Sequence, residues 1–177
     1  IRATHVDLIG KIAPGGYDFV NDDKDPNDDE TSLTHGHGTA TAGIIVGNWN
    51  GVGVGGIAPS ARVLPVKITD HKNETNGALI SQGVDYAAAN ASVKIILLEA
   101  VGASTSAKEL ESFANAVAKG KLIIAPSGNA KQAGPFSPAS SFALLGGAAL
   151  IVGSHNGAGD LSLFSNGAKG VETSFIT

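Results

Sequence analysis

Residues 93–125 decide the fold and read VKIILLEAVGASTSAKELESFANAVAKGKLIIA. Val93 to Leu98 is a continuous apolar run, which is typical of a parallel strand covered on both faces. Ser106 to Lys119 predicts a helix, because a glutamate follows the first serine at capping-box spacing and a glycine ends the pattern. Leu122 to Ala125 predicts a second buried strand. A strand, a helix and a strand in this order predict neighbouring strands of a parallel sheet.

The same alternation of strands and helices continues on both sides of this stretch. Thr39 to Val46 and Asn76 to Asn90 predict helices, and Arg62 to Ile68 and Ala148 to Val152 predict strands. We therefore expect an α/β fold with a mostly parallel central sheet and helices on both faces. The 177 residues fit one domain, and no linker or internal repeat divides them.

Composition excludes several classes of protein. The chain is 42% hydrophobic and 16% charged, which is enough apolar material for a core and excludes a disordered or fibrous chain. A net charge of −4 gives no basic field for nucleic acid or an anionic membrane, and no apolar run reaches the length of a membrane span. The absence of cysteine excludes disulfides and a thiolate nucleophile. Because the chain starts at Ile1 and has no methionine, we expect a piece of a longer protein, called the parent protein below.

Two loops carry unusual composition. Asp22 to Glu30 concentrates six acidic residues, which is compatible with either a solvated turn or a cation-binding loop. Four glycines between Gly51 and Gly56 resemble a dinucleotide loop only superficially. They are followed by a predicted strand, whereas a phosphate cradle requires a helix at that point. We therefore expect no nucleotide or other organic cofactor.

The predicted sheet places two segments at one functional edge. In parallel α/β sheets, ligands bind beyond the carboxyl ends of the strands. Glu99 to Gly102 follows one predicted strand, and Ser127 to Asn129 follows the next. These two segments are therefore candidates for a binding or catalytic site.

The segment His35-Gly36-His37-Gly38-Thr39-Ala40-Thr41-Ala42-Gly43 has two histidines separated by one residue. Taken alone, this spacing leaves three roles open for them: a general base, a metal ligand and a structural side chain. A metal-dependent hydrolase that uses His35 and His37 is one of the functions to be tested.

Four separate segments together resemble one family, the subtilisin-like serine proteases. His37 to Gly43 matches the family motif His-Gly-Thr-x-x-Ala-Gly, and Gly53 to Pro59 is similar to its Gly-Val-Ala-Pro segment. Ser127-Gly128-Asn129 resembles the family's oxyanion motif, and Phe164-Ser165-Asn166 follows in the family's order. The resemblance covers nearly the whole chain and implies the subtilisin fold and proteolysis by a Ser-His-Asp triad.

The resemblance also implies the roles of individual residues. His37 would be the general base, and Asn129 would donate a hydrogen bond to the oxyanion, whereas His35 lies outside the motif. The triad aspartate would precede Ile1 and the nucleophilic serine would follow Thr177, so the chain is expected to be a partial peptidase domain that is inactive alone. Asp7 aligns with a different aspartate of the family and is not the catalytic one. The expected partners are polypeptide substrates and the rest of the parent protein, in an extracellular location.

Substrate binding is implied at the two segments of the sheet edge. In the family, the segment after the first of these strands pairs with the substrate as an added strand. The corresponding residues here are Glu99, Ala100, Val101 and Gly102. Ser127 and Gly128, in the second segment, would lie beside them. Glu99 replaces a small hydroxyl residue and Val101 replaces a glycine. Glu99 either favours basic side chains of the substrate or points into solvent. The same departures favour an alternative function, a catalytically dead scaffold or binding module.

The resemblance further implies a structural calcium site. Its ligands would be the side chains of Asp7 and Asn50 and the carbonyls of Asn48, Val52 and Val54, an all-oxygen set that suits a hard cation. One family ligand would lie upstream of Ile1. We therefore expect calcium binding to be weak or absent in this piece.

Overall fold

The structure, a computed structural model, describes residues 1–29, 36–102 and 104–177. These residues form two compact units, Ile1–Thr75 and Asn76–Thr177, called the first unit and the second unit below. His35 and Glu30 lie outside the described residues. The α/β class predicted from the sequence is confirmed, since both units contain parallel strands together with α-helices.

The first unit has two short strands and one α-helix. Strands β1 (Tyr17–Asp18) and β2 (Val66–Lys67) pair in parallel, and helix α1 spans His37–Val46. A 3₁₀ turn, Val6–Leu8, packs against α1. The centre of the unit's core is formed by Leu8, Ala42 and Val46.

The prediction of a strand from Arg62 to Ile68 was too long. Only β2 is regular, and Val63 forms an isolated bridge to Ile12. Pro65 lies between these two points and has no N–H group to donate to a neighbouring strand. Its carbonyl instead accepts a hydrogen bond from the N–H of Tyr17 at 3.1 Å.

A buried ion pair joins β1 to β2. Asp18 is fully buried and lies 2.9 Å from Nζ of Lys67, which also contacts Asp29 of the acidic loop at 2.6 Å. Burial alone would raise the pKa of Asp18, but hydrogen bonds from Lys67 and from the N–H groups of Asn21 and Val20 outweigh it, so that this pKa is lowered. Asp29, one carboxylate of the acidic loop, is therefore paired with Lys67.

The second unit is a four-stranded parallel sheet with two α-helices. The strands lie in the order β3-β4-β5-β6, which is also their order along the chain. A 3₁₀ segment, Ala139–Leu145, lies between β4 and β5. The bounds are α2 Gly77–Ala89, β3 Ile95–Leu97, α3 Ala107–Ala118, β4 Leu122–Pro126, β5 Ala149–Val152 and β6 Phe175–Ile176.

The ends of α2 and α3 follow the sequence signals. Oγ of Ser106 accepts a hydrogen bond from the N–H of Glu109 at 3.2 Å, and the Glu109 carboxylate accepts one from the N–H of Ser106 at 2.8 Å. This pair is the predicted capping box. Gly120, at φ +74°, follows the end of α3, and the side chain of Asn76 caps the start of α2. Both predicted helices are thus confirmed within one residue at each end.

The two faces of the sheet differ in exposure. One face is buried, with Ile123 and Ile151 both at 0% exposure. On the other face, the side chains of Ile95 and Leu97 are 56% and 41% exposed. The prediction that Val93 to Leu98 is covered on both faces therefore differs from the structure, in which β3 is an edge strand with one exposed face.

Candidate functional site

His37 is the first residue of α1, and its side chain is exposed. Gly36 precedes it at φ +84°, a backbone conformation that favours glycine. The hydroxyl of Thr39 accepts a hydrogen bond from the N–H of Arg2 at 2.8 Å and donates one to Asp28 at 3.2 Å. The start of the helix is thereby anchored, and it presents an imidazole to solvent.

Asp7 is a buried carboxylate with one unused oxygen. It is 3% exposed, and its Oδ2 accepts a hydrogen bond from the N–H of Val54 at 2.9 Å. Within the part of the chain that the structure describes, its Oδ1 has no hydrogen-bond partner. Gly53, at φ +60°, approaches so closely that a Cβ there would lie 2.1 Å from Oδ2. A cavity of about 300 Å³ in the first unit is lined in part by Asp7 and Val54.

The structure brings the glycine-rich loop against Asp7. The N–H of Asn48 donates to the Asp7 carbonyl at 2.9 Å, and the Asn48 amide donates to the carbonyl of Ile9 at 2.9 Å. Oδ1 of Asn50 accepts a hydrogen bond from the N–H of Val52 at 3.1 Å, inside the loop itself. Asn48 and Val54 therefore contact Asp7 directly, whereas the Asn50 side chain is engaged within its own loop.

The second unit places both predicted edge segments at the carboxyl ends of adjacent strands. Leu97 of β3 is paired with Ile124 of β4, so the residues that follow these strands emerge at the same edge of the sheet. Glu99 and Asn129 are exposed there. An exposed carboxamide at a strand end can donate a hydrogen bond to an anionic oxygen.

The other predicted residues of this edge differ in exposure. Ala100 is 7% exposed and Ser127 is 1% exposed, so both support the edge from inside. Val101 is 48% exposed and projects from it. Gly102, also exposed, donates its N–H to the Ser137 carbonyl at 2.7 Å.

Asn166 was not singled out as a functional residue from the sequence. Its side chain is fully buried and hydrogen-bonds to the segment that contains Asn129. Gly128 is at φ +108°, and a Cβ there would lie 2.7 Å from Nδ2 of Asn166. The one sequence signal at this position is that Phe164-Ser165-Asn166 follows the other motifs in the order found in the family. That order indicates no role for the side chain of Asn166.

Neither a metal cluster nor a membrane span is found in the described residues. Within residues 1–29, 36–102 and 104–177, no group of three or more histidine, cysteine or carboxylate side chains could hold a metal ion. His35, which the metal-dependent alternative requires, is outside these ranges. In the same part of the chain, every helix is too short or too polar to cross a membrane.

Comparison with known proteins identifies the relatives of this chain. A family model described as "Subtilase family" matches residues 1–175. The chain is 34% identical to thermitase of Thermoactinomyces vulgaris, with 78% of the chain and 48% of that protein covered. It is 33% identical to the major intracellular serine protease of Bacillus subtilis, with 96% of the chain and 52% of that protein covered.

A solved structure has the same fold. The crystal structure of a cold adapted subtilisin-like serine proteinase matches with a TM-score of 0.77 and 27% identity, covering 94% of this chain and 55% of that one. The chain thus spans about half the length of these relatives.

Proposed function

Because this chain belongs to the subtilase family, a family of serine proteases, we propose that it is part of a serine endopeptidase domain and supplies that domain's general base and one oxyanion donor. In this proposal His37 takes the proton of a serine hydroxyl, and Asn129 donates to the oxyanion that forms on the substrate carbonyl. In this proposal both units belong to one partial domain, and the family match over residues 1–175 supports it.

The observation that carries the proposal is the exposure of His37 at an anchored helix start. A general base must reach its substrate and must have a fixed direction. Residue 37 is open to solvent, while Thr39 fastens the same helical turn to Arg2 and Asp28.

The sheet edge supports a polypeptide as the substrate. Glu99 to Gly102 follows β3, which has no neighbour on one side among the described residues of the second unit. An extended peptide can add to such an edge by backbone hydrogen bonds. We propose that Ala100 and Gly102 support this pairing and that Ser127 and Gly128 form the opposite side. The exposed carboxylate of Glu99 would then favour basic side chains in the substrate.

A fluorophosphonate probe, which labels activated serines, tests the proposal. We expect the parent protein to be labelled at one serine outside residues 1–177 and to cleave an unstructured protein such as casein. The 177-residue chain alone should show neither reaction, because the resemblance implies that the nucleophilic serine follows Thr177. Mass spectrometry of the labelled peptide is the measurement. A label on a serine of this chain would contradict the proposed division of roles.

The departures at Glu99 and Val101 favour a second candidate, a scaffold that binds peptides without cleaving them. Val101 adds an exposed side chain where the family has glycine. If the parent protein binds peptides but reacts with no probe, this second candidate replaces the first.

Zinc in the purified parent protein, together with activity that a chelator removes, would support the metal-dependent alternative that uses His35.

The residues around Asp7 fit a structural calcium ion. Oδ1 of Asp7 is a buried carboxylate oxygen without a hydrogen-bond partner in the described residues, and Asp7 and Val54 both line a cavity of the first unit. We propose that calcium is held by the side chains of Asp7 and Asn50 and by the carbonyls of Asn48, Val52 and Val54. When bound, the ion would supply positive charge to a buried carboxylate and join two distant segments of the first unit. It would take no part in peptide cleavage.

Calcium is therefore expected to raise the thermal midpoint of the parent protein without changing kcat at low temperature. A ligand that binds only the folded state at 100 times its Kd adds about 2.7 kcal/mol of stability. Asp7→Ala should remove most of this gain, as measured by thermal unfolding in calcium and in a chelator. Asp160→Ala, at an exposed carboxylate of the second unit, is the matched control and should keep the gain. An Asp7→Ala protein that stays folded but is inactive would contradict the structural role.

An extracellular location is also part of the proposal. A weak calcium site of the kind proposed above would agree with this location, because extracellular modules commonly use weak calcium sites. One relative is named as an intracellular serine protease, so membership of the family does not by itself require export. Detection of the parent protein in culture medium rather than in cell extract is the test.

A further inference from the structure

Asn129 lies on an exposed turn, although its proposed role demands a fixed position. β4 ends at Pro126, and residues 127–132 then leave the sheet without forming a helix or strand. A catalytic donor must be held within about 0.5 Å of its productive position. The side chain of Asn129 is exposed and cannot supply this rigidity by its own packing. The support must therefore come from residues that hold the turn on either side of it.

One side chain, that of Asn166, holds both sides of the turn. Its Oδ1 accepts hydrogen bonds from the N–H groups of Ala130 and Gln132, each at 3.0 Å. Its Nδ2 donates to the carbonyl of Ser127 at 3.1 Å. These three bonds reach the turn before and after Asn129 and leave Asn129 itself unused.

The backbone around Asn166 extends the same contact. The N–H of Asn166 donates to the Gly128 carbonyl at 2.9 Å, and its carbonyl accepts a hydrogen bond from Oγ of Ser127 at 3.0 Å. Gly167 donates its N–H to the Gln132 carbonyl at 2.8 Å. The turn is thus bound along its length by a segment more than 30 residues away in the chain.

Only a carboxamide of this length fits the three side-chain bonds. Two of the partners are N–H donors and one is a carbonyl acceptor, so the side chain must accept and donate at once. Aspartate would lose the donor and add a charge at a site with 0% exposure. Alanine would leave two N–H groups and one carbonyl of the turn without these partners.

We infer that Asn166 is a positioning residue for the proposed reaction, which acts through Asn129 by fixing the turn of residues 127–132. The inference rests on the proposed function of Asn129 as the oxyanion donor. Asn166 touches neither substrate nor reacting atoms. Its contribution is to hold the Asn129 amide where the charge on the substrate oxygen develops.

A double-mutant cycle in the parent protein tests the inference. We expect Asn166→Ala to lower kcat by about 10- to 100-fold with less than about a threefold change in KM, since misplacing a catalytic group by about 1 Å costs up to about 100-fold. In an Asn129→Ala background, the same substitution should lower kcat by less than about twofold, because the donor that it positions is already gone. An equal loss of kcat in both backgrounds overturns the inference.

Ser81→Ala is the matched control for removal of a buried polar side chain in the same unit. Ser81 is 2% exposed, and its hydroxyl donates to the Gly77 carbonyl within α2. It should leave kcat unchanged in both backgrounds. If Asn166→Ala does not fold, Asn166→Leu takes its place, since it keeps about the same branched shape, removes all three side-chain hydrogen bonds and adds no buried charge.

Hydrogen exchange separates failure of this inference from failure of the proposed function. In the Asn166 variant, the amides of Ala130 and Gln132 should exchange at least about tenfold faster than in the unchanged parent protein, while those of β4 stay protected. A parent protein without peptidase activity would refute the proposed function. Faster exchange at these two amides would still show that Asn166 fixes the turn of residues 127–132. Unchanged exchange at both amides overturns the inference, whatever the activity.

Discussion

Replacing His37 by alanine in the parent protein is expected to lower kcat by about a million-fold, the loss that subtilisin itself shows without its triad histidine. The reason is that no other group takes the proton from the nucleophilic serine. Because residue 37 is exposed, the fold should be unaffected, and the thermal midpoint should stay within a few degrees of the original. Single-turnover kinetics on a peptide ester, with thermal unfolding of the same samples, is the measurement.

His35→Ala is the control for this experiment, because it removes the neighbouring histidine of the segment His35 to Gly43 that lies outside the family motif. The serine protease interpretation predicts little change in kcat for this variant. If the two variants lose activity equally, the metal-dependent interpretation gains support, since two ligands of one ion would matter alike.

Asn129→Ala is expected to lower kcat by about 100- to 1,000-fold with little change in KM. This range is the loss measured when subtilisin, a member of this family, loses its side-chain oxyanion donor. KM should change little, because the donor bonds more strongly to the oxyanion of the transition state than to the carbonyl of the bound substrate. Steady-state kinetics over a range of substrate concentrations separates the two constants.

Gln132→Ala is the matched control for the Asn129 experiment. It removes another exposed carboxamide from the same segment while keeping the backbone N–H that bonds to Asn166. Its kcat should remain close to that of the unchanged protein. A rise in KM without a fall in kcat for Asn129→Ala would show that this residue binds substrate uniformly and is not an oxyanion donor.

Local signals in the sequence predicted the helices and the central strands. The ends of α3 were readable because Ser106, Glu109 and Gly120 act within a few residues of one another. β4 and β5 were readable as short apolar runs between a helix and a loop. In each case, the residues that determine the element lie inside it or beside it.

The shortest strands and the cover of β3 could not be predicted in this way. β1 and β6 have two residues each and are defined by their pairing with β2 and β5. The apolar run of β3 indicated a strand correctly. It could not reveal that Ile95 and Leu97 would remain exposed, because exposure depends on what packs against the strand and not on the strand itself.

The residues of the candidate site that belong to sequence motifs could be predicted. Those that are defined by tertiary contacts could not. His37 and Asn129 were named from their motifs, and their roles stay predictions. The closeness of Asp7 to Gly53 and Val54 was implied only by resemblance to the family. The contacts of Asn166 join segments more than 30 residues apart, and no local pattern specifies them.

The strand order of the second unit bears on how this part of the chain is synthesised and folds. β3, β4, β5 and β6 lie side by side in the order in which they leave the ribosome. Each new strand can therefore join the open edge left by the one before it, and no strand has to be inserted between two that are already paired. Parallel pairing still requires a long connection at each step, which slows folding. Growth in one direction from β3 lets the nascent sheet form during translation, with each new strand added at the same edge.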